Sequence, residues 1–188
     1  MFYILLLISF INFILIVNPQ DNIKLKKMYE EDQSSRKVEK IDWVKLSKED
    51  SVRRIKVYKM IGQNMLSTAN DYFYAAMIFQ HGKDSTSYKL ANDYSKKAAG
   101  MDTTNALFRW LSAASYDRYV LSIGKPQIYG TQFLIIKNKY YLSDFDTTKV
   151  TDAERIYYGT RTLKEIRDYL TTQNGEDNGL LIFPNPKK

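Results

Sequence analysis

The stretch "STANDYFYAAMIFQHG", residues 67–82, decides the fold class. It is the strongest helix signal in the chain. Ser67 or Thr68 stands where an N-terminal cap belongs, and an apolar run containing Ala75 and Ala76 follows. Gly82 stands just past the end, where a left-handed terminator is expected.

Similar segments lie on both sides. Upstream, "YEEDQSSRKVEK" reads as a polar helix, preceded by a linker over residues 19–30. In "SKED", Ser47 and Asp50 resemble a capping box, and Val52, Ile55, Tyr58 or Lys59, and Gly62 continue at helical spacing. Downstream, "STSYKLANDYSKKAA" predicts a helix ending at Gly100, and "TTNALFRWLSAASYDRYVLS" another ending at Gly124. The loops between them hold only a few residues, which forces antiparallel neighbours. Ala113 and Ala114 repeat the alanine pair of residues 75 and 76, as in tetratricopeptide-like helix pairs.

The period then changes. "QFLIIKNKYYLSDF" reads as a β-hairpin near 132–143 around a Lys-Asn turn. A hairpin this small must pack on the helices. "TDAERIYYG" and "RTLKEIRDYLTTQ" form a last helical pair, capped by Thr151 and Thr162, and residues 174–188 read as a tail. The expected architecture is mainly α: an antiparallel helical bundle over residues 31–173 with one small hairpin.

Composition narrows the function classes. The chain has 188 residues, 44% of them hydrophobic and 26% charged, which suits one globular domain. Cysteine is absent, so disulfides, thiol catalysis and cysteine-rich zinc sites are excluded. The formal charge is +7, but basic residues alternate with acids, as in "RKVEKIDWVKLSKEDSVRR". No basic face or known module marks a nucleic-acid partner. No nucleotide loop, nucleophile elbow or zinc-protease motif occurs, and neither a cofactor nor a metal is expected.

"MFYILLLISFINFILIV" opens the chain. Residues 1–18 read as a signal peptide or a membrane anchor, with attachment running through residues 2–17. The expected location is extracytoplasmic, periplasmic or secreted, or else anchored at the membrane.

Four polar motifs punctuate the helical region. "EDQ" with Arg36 contains Gln33; Gln80 and His81 end the helix of the opening stretch; Asp117 and Arg118 are adjacent; "GKPQIYGTQ" spans residues 124–132. In that order they resemble an uncharacterised bacterial domain-of-unknown-function family with EDQxxR, QH, DR and GxPQxYGTQ hallmarks. The resemblance covers about residues 30–170. It implies a mostly helical domain and no particular activity.

The residues themselves suggest chemistry. His81, the only histidine, can act as a general base or grip a ligand, or it can cap a helix C-terminus. Asp117 could orient His81, and Arg118 could clamp a carboxylate or phosphate; equally, both could be tied structurally to Glu31 or Asp32. Gln127, Tyr129, Thr131 and Gln132 offer several donors and acceptors beside the flexible Gly130. The candidate catalytic residues are therefore His81 and Asp117. The candidate ligand contacts are Gln80, Arg118, Gln127, Tyr129, Thr131, Gln132, Gln33 and Arg36. The favoured expectation is a binding module for a peptide or small polar ligand. A hydrolase using His81, or a purely structural role for the motifs, are the alternatives.

Overall fold

The computed structural model describes residues 19–183. The expected signal peptide or anchor and the last five residues of the tail lie outside the described residues. The elements run α1 (Ile23–Ser34), α2 (Trp43–Gly62), α3 (Ala69–Phe79), α4 (Ser85–Met101), α5 (Ala106–Ser122), β1 (Phe133–Ile136), β2 (Lys139–Ser143), α6 (Asp152–Tyr157), α7 (Leu163–Asn174) and β3 (Ile182–Phe183). The protein is mainly helical with one small sheet, as the sequence pattern predicts. Among the described residues, no helix is long and apolar enough to cross a membrane.

The opening stretch forms α3, the central helix. Thr68 caps it and Asp71 completes a capping box. Helix α3 is apolar on nearly every side because α1, α2, α4 and α5 all pack against it. Ala75, Ala76, Ala113 and Ala114 are buried, and α3, α4 and α5 pack in chain order. Gly82 does not adopt a left-handed conformation. It is needed for space instead, since a β-carbon there would collide with the Ser87 side chain at the start of α4.

Residues 19–30 are not a linker. Asn22 caps α1, which starts at Ile23 and buries Leu25, Met28 and Asp32 on one face. The Asn22 amide donates to Asp71 Oδ1 at 2.7 Å, and Asp21 accepts from Thr68 at 2.7 Å and from Asn70 at 2.9 Å. Lysines and glutamates between the buried positions dilute the apolar signal. Helix α2 also starts earlier than expected. Asp42 caps it, so Ser47 and Asp50 lie within the helix and Asp50 is buried. The stripe of Val52, Ile55 and Tyr58 faces outward, and the buried face is Leu46, Asp50, Arg53 and Val57.

The hairpin forms as predicted. Phe133 pairs with Leu142 and Ile136 with Lys139, and Lys137 and Asn138 both take positive φ. That is the twist a two-residue hairpin turn requires. The tail adds a third strand: Ile182 and Phe183 pair in parallel with β2. Helix α7 covers this sheet and builds a second core of Leu142, Phe145, Ile166 and Leu170. The larger first core lies among α1 to α5.

The segment from Gly124 to Gln132 forms the seam between the two cores. Asp117 of α5, fully buried, organises it. Its Oδ1 accepts from the Ile128 and Tyr129 amides at 2.9 and 3.0 Å; its Oδ2 accepts from the Thr131 amide and hydroxyl at 3.1 and 2.8 Å. Burial holds the Asp117 carboxyl above the ordinary aspartate range, and these four donors offset only part of that rise. Gln127, also fully buried, donates to the carbonyls of Gln132 and Ser143 and accepts from the Gln132 amide, each at 2.9 Å.

Candidate functional site

The last carbonyls of a helix need partners. At the end of α3 two arginines supply them. Arg118 Nη1 donates to the Gln80 carbonyl at 2.8 Å and Arg54 Nη1 to the His81 carbonyl at 3.0 Å. Both guanidinium groups sit where the helix dipole favours positive charge. With the backbone capped by arginines, the His81 ring is released for another partner.

That partner is Asp32 of α1. His81 Nδ1 lies 3.1 Å from its carboxylate. Asp32 also accepts from Arg36 Nη1 at 2.8 Å and Gln33 Nε2 at 2.8 Å. Arg36 Nη2 continues to Asp50 Oδ2 at 2.7 Å, and Asp50 accepts from Arg53 Nη1 at 3.0 Å. Burial alone would raise the Asp32 carboxyl; the hydrogen bond and charge of His81, with Arg36 and Gln33, hold it below the ordinary aspartate range. Helices α1, α2 and α3 thus meet on a chain of alternating charges. The Asp32 side chain is 1% exposed, whereas those of His81 and Arg36 are 17% and 20% exposed, so the chain opens at one end to solvent.

Arg118 builds a second polar group at the same helix end, reaching into the seam. Its Nε and Nη2 both donate to Gln132 Oε1 at 3.1 Å. Gln132 Nε2 then donates to the Thr131 hydroxyl at 3.0 Å and to the Ala114 carbonyl at 3.3 Å. Arg118 therefore bonds only neutral oxygens, and no carboxylate among the described residues pairs with it. Burial weakens its hold on the proton; Tyr88, whose ring lies 6.0 Å away, acts against this, and the nearby Arg36 charge adds to it. A guanidinium has five N–H donors, so three bonds leave Arg118 two uncommitted.

The sequence candidates therefore separate into two groups. Gln33, Arg36 and His81 meet on Asp32, whereas Arg118 holds the Gln80 carbonyl and Gln132, which is itself bonded to the seam; the backbone between Gln80 and His81 joins the two. Asp117, Gln127, Tyr129 and Thr131 form the seam. The expected pairing of Asp117 with His81 does not occur: all four Asp117 bonds go to the loop, and Asp32 holds the histidine. Adjacent residues on a helix diverge by about 100°, so Asp117 points to the loop while Arg118 points to the end of α3. Gln127 is buried and fully bonded, hence no ligand contact in this state. Tyr129 packs edge-on against Tyr116 and Tyr158, and burial drives its hydroxyl well above the usual tyrosine range. The side chain of Gln80 is buried against Met77 Sδ at 3.2 Å, and only its carbonyl serves the network.

Sequence reasoning missed Asp32, Asp50 and Arg53 as members. Two signals were present: Asp32 and Arg36 are four apart on one helix face, and Asp50 and Arg53 are three apart on another. A groove of about 500 Å³ runs beside the network between α1 and α2, lined by Glu31, Ser35, Lys48, Glu49 and Arg53 among others. Neither His81 nor Arg118 lines it. Among the described residues, no group of three or more acidic or histidine side chains is placed to hold a metal ion. No family model, curated protein or solved structure matches the chain.

Proposed function

We propose that this is a binding module for a small polar ligand, or the end of a peptide, that presents an anionic oxygen group to Arg118. The observation that carries the reading is the missing counter-charge. Arg36 and Arg53 are each paired with carboxylates, while Arg118 is partly buried against neutral oxygens alone. Charge-assisted bonds in such a setting are strong, and a guanidinium edge matches a carboxylate or phosphate. The apolar N-terminal segment supports export or membrane anchoring of the module.

The test installs the missing charge. Gln132→Glu places a carboxylate on Arg118 and satisfies it internally. Acetate binding, followed by chemical-shift titration of the full chain, should weaken at least about tenfold in this variant while the fold is retained. A tenfold loss corresponds to about 1.4 kcal/mol. Unchanged acetate binding would remove Arg118 as the anchor. The Asp32–His81 pair favours one second reading, a hydrolase with His81 as general base. Product resonances appearing during titration with an ester substrate would establish it.

A further inference from the structure

We infer that the outward face of α2 lies on an anionic lipid surface, with its valines and isoleucine in the interface and its lysines on the headgroups. This face shares no residue with the Arg118 site.

Every exposed residue of α2 is apolar, aromatic, lysine or glycine, and none is acidic. Val44, Lys48, Val52, Ile55 and Lys59 follow one another at steps of three or four, so they share one face. Val44, Val52 and Ile55 are 69%, 49% and 64% exposed, although a helix surrounded by water turns such residues inward. The ion pairs of α2 involve Lys45, Glu49, Asp50 and Arg53; among the described residues Lys48, Lys56 and Lys59 make none. Asp50 is buried, and Glu49, at the edge of the face, is held by Arg53 at 3.3 Å and Lys45 at 3.9 Å. A helix that simply faces water looks different. Helix α7 exposes Lys164, Glu165, Arg167 and Asp168 and no large apolar side chain, and Lys164 pairs with Asp168.

Lysines interleaved with apolar residues suit the boundary of an anionic bilayer. The apolar side chains enter it, and the lysine stems lie along it with their ammonium groups at the phosphates. A second copy of the same face would set lysine against lysine. The chain also brings a bilayer within reach. Residues 2–17 are apolar apart from Ser9 and Asn12, long enough to insert in one. Five residues, 18–22, separate them from α1, and such a stretch reaches at most about 17 Å. Asn22 Nδ2 donates to the Met65 carbonyl at 3.1 Å, just beyond the end of α2. The apolar segment therefore joins the domain beside the last turn of α2, where Ile23 and Met65 add exposed apolar surface.

The chain has no cysteine, so one introduced cysteine carries a polarity-sensitive nitrobenzoxadiazole dye at a single position. The full chain is labelled at Val52→Cys or, as a control, at the exposed Thr172→Cys of α7. Each is reconstituted into vesicles of phosphatidylcholine, or of equal parts phosphatidylcholine and phosphatidylglycerol. Emission from Val52→Cys should rise and shift to the blue in the mixed vesicles only, while the control keeps its aqueous value. Adding Lys48→Glu, Lys56→Glu and Lys59→Glu together should return the Val52→Cys signal to the aqueous value, because the three lysines carry about a hundredfold in the docking equilibrium. The melting temperature should be unchanged, since none of the three is ion-paired. High salt should act in the same direction as the triple change. Aqueous emission in both kinds of vesicle overturns the inference, as does a control that responds like Val52→Cys. Apolar emission already in phosphatidylcholine overturns it too. The face is then covered by a second copy if the signal falls as protein is diluted in lipid, and by residues 1–18 or uncharged lipid if it does not.

Discussion

At the scale of single residues, two aspartates set opposite tasks. Asp32 is held below the ordinary aspartate range in the folded state. The unfolded chain therefore binds this proton first on acidification. Its stabilisation is complete above about pH 4, the range of an unperturbed aspartate, and disappears as pH falls through the lower folded value. The melting temperature of Asp32→Asn should differ most from wild type near neutrality, and the gap should close on acidification below about pH 4. A constant gap would mean that Asp32 acts through shape rather than charge. Asp117 has a structural task. Each of its oxygens faces two donors, so Asp117→Asn must turn an amide N–H towards another donor. We expect a loss of about 3 kcal/mol, read by urea unfolding, because a buried charged acceptor is replaced by a mismatched one. None of this was legible from sequence. "DR" shows an acid beside a base, and only helix geometry sends them to different partners.

At the scale of elements, the segment that reads as a linker is the most instructive. Helix α1 is fastened by Asp71 and by the burial of Leu25 and Met28. Leu25→Ala should cost about 2–5 kcal/mol in thermal or denaturant unfolding, as for other buried leucines. A true linker would show no change. The sequence signal was weak because only one narrow face is apolar and lysines occupy much of the rest. The caps Thr68, Thr151 and Thr162 were legible because capping is a local exchange between a side chain and the next turn. The Lys137–Asn138 turn was legible for the same reason. Both residues bear the strain of positive φ. The double substitution Lys137→Asn with Asn138→Gly should therefore stabilise the hairpin by about 1 kcal/mol, read by urea unfolding.

At the scale of the whole molecule, the seam couples two cores. Gly130 has φ of 77°, and a β-carbon there would lie 2.6 Å from Ile166 Cδ1. Gly130→Ala combines backbone strain with overpacking and should cost about 2–4 kcal/mol. The clash lies in the second core, so hydrogen exchange should accelerate in β1, β2 and α7 while α3 and α4 stay protected. Equal acceleration everywhere would show that the two cores open only together. Arg155 reinforces the seam from α6: fully buried, it donates to the carbonyls of Val150 and Ile128 at 2.7 and 3.1 Å. The motif "GKPQIYGTQ" is thus mainly a clasp, and only Gln132 reaches the Arg118 network.

By itself the sequence determined the helical class, five of the seven described helices near their observed positions, and the hairpin and its turn. These follow from periodicity, caps and turn residues, which act over a few positions along the chain. The tertiary structure decided the pairings: His81 with Asp32 rather than Asp117, Asp50 as an ion-pair partner rather than a cap, and Arg118 without a counter-charge. Those contacts join residues 14 to 49 positions apart. Which side chains meet across such distances depends on how helix faces rotate and pack, and the order of residues does not encode that locally.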